Sequence, residues 1–262
     1  MLFQIGDIVT RNSYHNDTFF VIENIDGNTA YLKGINLRLY ADSELDDLNK
    51  VSDTNIVDDE RVTSTITNSL KLDRSEFFYL PGKILHIDGD EDYLKRCMNF
   101  YKKLNIMAYG LCLKEADIKV EIDKYLRKLN PDIVVITGHD AYYKRKGSID
   151  DVTNYKNTEN FIEAVKIARN YEKNQDKLII IAGACQSNYE ELIKAGATFA
   201  SSPKRINIHA LDPAIIASYL AFYDRNKTVD LLDVLDKTKS GSDGIGGVIT
   251  KGCMFVGYPR WI

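Results

Sequence analysis

The chain has 262 residues, 44% of them hydrophobic, which suffices for one large core and a small accessory domain. Its 38 acidic and 34 basic side chains give a net charge of -4, so no strong field attracts nucleic acid or membrane surfaces. Because the sequence shows no signal-peptide pattern and no apolar run near the roughly 20 residues that span a bilayer, we expect a soluble, intracellular protein.

Residues 1–50 are predicted to form a small SH3-like β-barrel. Short apolar runs alternate there with turn residues, and Asp26-Gly27-Asn28 marks a hairpin between two of them. Barrels of this type bind or tether partners, and a purely structural role is equally compatible with the sequence. Residues 51–82 are polar and end at Pro81-Gly82, which predicts a linker with about one helical turn.

Residues 83–235 are predicted to form an α/β domain, in which apolar strands alternate with amphipathic helices. These strands begin near Ile84, Ile106, Ile133 and Leu178. This rhythm requires a mostly parallel sheet with helices on both faces, of the caspase-like or flavodoxin-like kind. Residues 236–262 follow as a glycine-rich C-terminal segment.

Two short motifs at predicted strand ends carry the candidate chemistry. His139 follows the strand that begins near Ile133, and Cys185 follows the strand that begins near Leu178. Because the ends of parallel strands converge on one crevice, the two side chains can act together as base and thiol nucleophile. A free thiol is only a few per cent ionised at neutral pH, so an imidazole is needed to activate it. The sequence therefore predicts a cysteine hydrolase.

The flanking residues indicate how such a site would be completed. Ser187 and Glu190 fit a capping box, so a helix is predicted to begin just after the cysteine and to favour its thiolate. Backbone N–H groups around Asp140, Gly183 and Cys185 are expected to form an oxyanion hole.

Most other histidines and cysteines have structural interpretations. His86 lies inside a predicted strand and is interpreted as a core residue, whereas His209 remains a candidate for the substrate pocket. The other cysteines show no CxxC pairing, which argues against a zinc site and against a disulfide framework. We interpret them as small buried residues: Cys97, Cys112 and Cys253.

The order of the two residues separates reaction classes. Glutamine amidotransferases and α/β-hydrolases place the nucleophile before the histidine, whereas here His139 comes first. In caspases the histidine precedes the cysteine by about 50 residues, close to the spacing here, and Ala184-Cys185-Gln186 matches part of their signature. The chain departs from that signature at Asp140, where caspases have glycine, and at Gly183.

Beyond this dyad, the chain resembles the YabG family of sporulation-specific cysteine proteases from endospore-forming bacteria over essentially its whole length. The segments that carry the resemblance are Phe3-Gln4-Ile5-Gly6-Asp7, Leu85-His86-Ile87-Asp88-Gly89-Asp90, Asp132-Ile133-Val134-Val135-Ile136-Thr137-Gly138-His139-Asp140-Ala141-Tyr142, Ala182-Gly183-Ala184-Cys185-Gln186-Ser187 and Asn207-Ile208-His209-Ala210-Leu211-Asp212-Pro213. The resemblance implies a catalytic dyad of His139 and Cys185.

The resemblance also implies a cysteine endopeptidase that processes spore coat, cortex or germination proteins, at basic residues. A preference for arginine would need a carboxylate in the pocket, and the candidates are Asp88, Asp140 and Asp212. We expect no metal and no cofactor. The implied partners are protein substrates of the developing spore, and the implied location is the mother-cell cytoplasm with association with the spore coat; the sequence leaves the oligomeric state open.

Two alternatives from other classes remain. Ile87-Asp88-Gly89-Asp90 resembles the acidic corner of a receiver-like or other flavodoxin-like binding module. A receiver domain would carry a phospho-acceptor aspartate where His139 stands, and a lysine after the strand that leads to Cys185. The second alternative is a structural spore-coat protein with a degenerate site.

Overall fold

The structure, a computed structural model, describes residues 3–51, 56, 59–70 and 76–259. Its strands are β1 (Ile8–Arg11), β2 (Phe20–Asp26), β3 (Thr29–Gly34), β4 (Tyr40–Glu44), β5 (Leu48–Lys50), β6 (Phe78–Leu80), β7 (Ile84–Asp88), β8 (Ala108–Cys112), β9 (Ile133–Thr137), β10 (Ile179–Ala182), β11 (Phe199–Ser201), β12 (Ile245–Gly247) and β13 (Phe255–Gly257). Its α-helices are α1 (Asp59–Ser69), α2 (Glu91–Lys103), α3 (Glu115–Leu129), α4 (Thr158–Tyr171), α5 (Tyr189–Ala195), α6 (Asp212–Phe222), α7 (Leu231–Asp236) and α8 (Gly241–Gly244). Within these ranges, no helix combines the length and the apolar character needed to cross a membrane.

The N-terminal strands form an antiparallel sheet in the order β4-β3-β2-β1-β5. Phe20, Ile22 and Leu32 alternate with more exposed neighbours and build its small core. The predicted hairpin is confirmed, because Asp26 pairs with Thr29 across a tight turn. The strand pairings do not confirm closure into an SH3-like barrel, which stays a prediction.

The second sheet confirms the predicted α/β class. Its order is β12-β11-β10-β9-β7-β8, and the strands from β7 to β11 run parallel. Taken alone, β8-β7-β9-β10-β11 has the flavodoxin-like order 2-1-3-4-5, whose topological switch point lies between β7 and β9. The glycine-rich C-terminal segment supplies β12, which pairs antiparallel with β11 at the sheet edge.

Helices cover both faces of this sheet. Ile133 and Val135 face the layer that contains α2 and α6, whereas Val134 and Ile136 face the layer that contains α3, α4 and α5. Strands buried on both faces are apolar without interruption, and this is why their positions could be recognised in the sequence.

The segment between the two sheets contains more structure than predicted. α1 has 11 residues, about three turns, where the sequence predicted about one. Val62 and Ile66 bury its inner face in the main core, and Asp59 accepts a hydrogen bond from Arg96 of α2 at 2.7 Å. These tertiary contacts stabilise a helix whose own residues, many of them threonine and serine, have modest helical propensity. The proposed domain boundaries stay predictions.

Candidate active site

The candidate catalytic residues lie at the carboxyl edge of the parallel sheet. Ile136 of β9 is paired with Ala182 of β10, and His139 and Cys185 each follow that pair at the same distance along the chain. They therefore emerge at equivalent heights from neighbouring strands, which lie about 4.8 Å apart. β7 ends beside them at Asp88, across the switch point where ligands bind in sheets of this order.

The His139 ring is held on several sides. Its Nε2 lies 3.2 Å from Asp90 Oδ2, and the Tyr40 ring packs edge-on at a centroid distance of 4.4 Å. The His139 backbone N–H donates to Glu115 Oε1 at 2.8 Å. A Cβ atom at Gly138 would lie 2.6 Å from that oxygen, so glycine leaves the space in which the carboxylate reaches the backbone.

Asp90 is a site residue that the sequence analysis missed. Its Oδ1 accepts the N–H groups of Asp92 and Tyr93 and caps α2, while its Oδ2 contacts His139 and, at 2.8 Å, Lys33 Nζ. Burial disfavours its charge, but the hydrogen bonds from His139 and Lys33 outweigh burial and hold the pKa of Asp90 well below its ordinary range. The position of Asp90 before an amphipathic helix indicated a helix cap. Its contact with His139 depends on the tertiary structure and could not be read from the sequence.

Cys185 is buried in this structure, with 1% of its surface exposed. Its sulfur accepts the Ile208 N–H at 3.3 Å. Burial raises the pKa of the thiol to about 12, although the Ile208 N–H and the Arg38 guanidinium act in the opposite direction. In this conformation the thiol is protonated and closed off, so it must be exposed before it can act as a nucleophile.

Asp140 connects the ends of β9 and β10. Its Oδ1 accepts two backbone N–H groups, and its Oδ2 accepts the hydroxyl groups of Thr158 and Ser187. These four donors satisfy the carboxylate, which is 8% exposed. Its geometry is that of a structural anchor beside His139 rather than of an open pocket carboxylate.

The capping box predicted after Cys185 is wrong. Asn188 caps α5 by accepting the Glu191 N–H at 3.2 Å. Ser187 instead donates to Asp140 and accepts the Ala184 N–H at 3.0 Å. A buried carboxylate opposite Ser187 draws its hydroxyl away from the helix, and the sequence gives no sign of that partner.

Gly183 lies in the same turn, where its φ of +101° requires glycine. Its N–H donates to Ile136 O at 3.0 Å and continues the ladder between β9 and β10. This N–H is therefore engaged in the sheet, and the oxyanion role predicted for it conflicts with that hydrogen bond.

His209 and Asp212 are both buried near the start of α6. The Asp212 carboxylate accepts the N–H groups of His209, Lys239 and Ser240, at 3.2, 2.7 and 3.2 Å. Burial raises the pKa of Asp212. The contacts fasten this turn to the C-terminal segment, and the predicted roles of both residues in the substrate pocket stay predictions.

Asp88 contacts an arginine from the loop between β3 and β4. Arg38 Nη1 donates to Asp88 Oδ2 at 2.7 Å, and its Nε and Nη2 donate to Ala210 O at 3.2 and 3.0 Å. Tyr93 lies over the guanidinium, 4.9 Å from its carbon to the ring centroid, and Cys97 Sγ is 3.6 Å from Nη2. Arg38 is 1% exposed, which is possible for a guanidinium only where its charge and donors are paired.

The backbone around Arg38 pairs with the segment next to Cys185. The Arg38 N–H donates to Ile208 O at 3.2 Å, and the Ala210 N–H donates to Asn36 O at 2.9 Å. Leu37 and His209 therefore face each other as antiparallel partners. Ile208 also donates its N–H to the Cys185 sulfur, so the segment around Ile208 links residues 36–38 to the nucleophile candidate.

The structural interpretations hold with one exception. His86 is fully buried, and its Nδ1 lies 2.8 Å from the Tyr101 hydroxyl. Cys97 and Cys253 are buried. Cys112 is exposed, contrary to the interpretation, because it ends the edge strand β8.

The chain is similar to known proteins over nearly its whole length. Residues 4–259 match the family described as YabG peptidase U57. The sporulation-specific protease YabG of Bacillus subtilis is 42% identical over 99% of this chain and 99% of its own length. Among solved structures, a cobalamin-binding protein from Desulfitobacterium hafniense has a TM-score of 0.35 and 19% identity, over 53% of this chain and 58% of that one.

Proposed function

This chain belongs to the YabG peptidase U57 family and is a protease of sporulation, and from that premise we propose a cysteine endopeptidase with Cys185 as nucleophile and His139 as base. The observation that carries the assignment is their emergence at equivalent heights from paired strands, with Asp90 bound to His139. Membership of a peptidase family favours this function over a receiver-like binding module.

The contact with Asp90 assigns the two imidazole nitrogens of His139. An ionised carboxylate can only accept, so the nitrogen that faces it, Nε2, carries the proton. Nδ1 is then the basic nitrogen that takes the proton of the Cys185 thiol. This is the arrangement in which a third group orients the base.

The proposed reaction has two halves. The thiolate of Cys185 attacks the scissile carbonyl carbon, and the tetrahedral intermediate collapses as the His139 imidazolium gives its proton to the leaving amine. Water, deprotonated by His139, then attacks the thioester, releases the carboxylate product and restores the thiol. We propose the backbone N–H groups of Cys185 and Asp140 as oxyanion donors, since that of Gly183 is engaged in the sheet.

We further propose cleavage after arginine or lysine, with Asp88 as the pocket carboxylate. The buried Arg38 supports this choice, because it demonstrates that a guanidinium fits between Asp88 and Ala210 O. A planar guanidinium can bond both oxygens at once. A cleft of about 720 Å³ is lined in part by Tyr40, whose ring packs against His139, and by Gln186, which follows Cys185 in the chain.

The proposed substrates are coat, cortex or germination proteins of the developing spore. The proposed site of action is the mother-cell cytoplasm, with later association with the spore coat. The similarity to a sporulation-specific protease supports both proposals.

The decisive experiment is cleavage of a peptide library by the purified chain, read by mass spectrometry. We expect cleavage after arginine or lysine that disappears in Cys185→Ala and persists in Cys112→Ala, which removes the exposed thiol of β8. Equal cleavage by Cys185→Ala would overturn the assignment of the nucleophile. Cleavage after other residues alone would overturn the pocket assignment.

A further inference from the structure

The loop between β3 and β4, residues 35–39, pairs with the segment that binds the candidate nucleophile, because Ile208 accepts the Arg38 N–H and donates its own N–H to the Cys185 sulfur. Cys185 is buried, although a nucleophile that acts on peptides must be reached by substrate. The N-terminal sheet therefore supplies a segment to the crevice that the proposed reaction requires to be open.

This segment is bound in the manner of a peptide. Arg38 and Asn36, alternate residues, bond to Ile208 and Ala210 through their backbones, as an added strand does on an exposed edge. Between them Leu37 faces His209 as an antiparallel partner. Main-chain bonds of this kind are independent of sequence and would hold any extended substrate equally well.

The side chain of Arg38 fills the pocket proposed for the substrate. Its guanidinium reaches Asp88 and Ala210 O, lies beneath Tyr93, and is sealed from solvent. Two separate features, the backbone pairing and the filled pocket, thus place one residue where an arginine before the scissile bond would lie.

The loop also differs from a substrate in one respect. The Leu39 N–H donates to Leu37 O at 2.9 Å, which closes a three-residue turn at Arg38, and the Gly34 N–H donates to Leu39 O. The chain after Arg38 therefore bends back into β4 instead of extending past Cys185. A bent backbone of this kind occupies the site without presenting an extended bond to the thiol.

We propose that residues 35–39 are a built-in pseudosubstrate that blocks the active site with Arg38 in the specificity pocket. This inference rests on the proposed function, and it adds that the N-terminal sheet inhibits the enzyme until the loop is displaced. A second contact supports it: Lys33 of β3 binds Asp90, the carboxylate that orients His139. The N-terminal sheet and its loop thus contact both the proposed specificity pocket and Asp90, the carboxylate that orients His139.

The test uses the full chain with Arg38→Ala, and Arg127→Ala as control, which removes an exposed arginine of α3. Hydrolysis of a short peptidyl-arginine coumarylamide is measured. Since blocking reduces the competent fraction, Arg38→Ala should raise kcat/KM by about tenfold or more, and Arg127→Ala should leave it unchanged.

A second variant covers the case in which Asp88 without its partner prevents folding. Arg38→Lys keeps a cation opposite Asp88 but lacks the planar fork that bonds Asp88 and Ala210 O from separate nitrogens, so we expect a rise of about threefold. Wild-type activity in both folded variants would overturn the inference and leave the proposed function standing.

A binding measurement separates the inference from catalysis. In the Cys185→Ala background, Nα-acetyl-arginine methylamide should raise the melting temperature of Arg38→Ala but not of the chain with Arg38 in place. Stabilisation confined to Arg38→Ala, together with no hydrolysis by any variant, would support the occupied pocket and contradict the proposed function. Equal stabilisation with and without Arg38 would overturn the pseudosubstrate.

Discussion

Asp90 uses its two carboxylate oxygens for two purposes. Oδ1 caps α2 and accepts a hydrogen bond from Lys33 at 3.0 Å, and Oδ2 contacts His139 and, at 2.8 Å, Lys33. Because the cap fixes the carboxylate relative to the helix, the helix in turn fixes the imidazole. The position of the His139 ring is thus set by helix α2 rather than by a loop.

We expect Asp90→Asn to lower kcat by roughly 10² or more, because an amide no longer enforces the imidazole tautomer. Asparagine is an equally good helix cap, so the cap of α2 is kept, while the loss of the ion pair with Lys33 should lower the melting temperature. Steady-state kinetics on a peptidyl-arginine substrate measures the change, which should fall on kcat rather than on KM.

The matched control is Asp92→Asn. Asp92 also binds Lys33, at 2.8 Å, but the contacts of the His139 ring nitrogen are with Asp90. Similar losses in the two variants would mean that the aspartates act through Lys33, and would contradict the positioning role of Asp90.

At the scale of elements, the turn from β10 to α5 presents Cys185. Gly183 supplies the backbone bend, and Ser187 bridges the Ala184 N–H and Asp140. Asp140 follows β9, so one hydroxyl links the strand end that carries the cysteine to the one that carries the histidine.

Removal of this bridge should destabilise the protein measurably. Ser187→Ala leaves the buried Ala184 N–H without its partner and takes one donor from Asp140, which should lower the free energy of unfolding by about 1–3 kcal/mol. Urea denaturation measures it. Ser64→Ala on the exposed face of α1 should change the value by less than about 0.5 kcal/mol, and an equal effect of both would argue against the bridge.

The parallel strands, α3 and α4 could be predicted because their apolar residues follow the period of each element. β9 and β10 are formed by runs of apolar residues. His139 and Cys185 follow these runs in the sequence. α1 and the cap at Asn188 could not be predicted, since contacts with Arg96 and the pairing of Ser187 with Asp140 decide them. Local propensity does not predict an element or a cap whose formation depends on a residue far away in the sequence.

At the scale of the molecule, two ion pairs dock the N-terminal sheet on the crevice: Arg38 with Asp88 and Lys33 with Asp90. Sequence reasoning placed the chemistry at the sheet edge but missed this docking. Neither cation carries a motif, and both pairs join residues that are far apart along the chain. Whether residues 1–50 bind a partner or serve structure was left open by the sequence; here they contribute Arg38 to a pocket of the other sheet.

The same pairs make the docked state sensitive to acid. Burial raises the pKa of both aspartates, but for Asp88 the charge of Arg38 outweighs it, and for Asp90 the hydrogen bonds from His139 and Lys33 do, so both pKa values are lowered. At these two side chains the unfolded state, in which aspartate titrates near 3.9, binds more protons than the folded state in mild acid. The stabilisation is complete above roughly pH 5 and is lost as the pH falls through the folded pKa values.

We therefore expect the free energy of unfolding, measured in urea at several pH values from 7 to 3, to decrease below about pH 5. In Lys33→Met the decrease should be shallower, because Asp90 loses the cation that helps to lower its pKa while the aliphatic packing is kept. Lys124→Met, which breaks an exposed pair with Glu121, should follow the wild-type slope. A Lys33→Met curve parallel to the wild type would show that the Lys33–Asp90 pair does not set the acid sensitivity, and would leave the Arg38–Asp88 pair as its source.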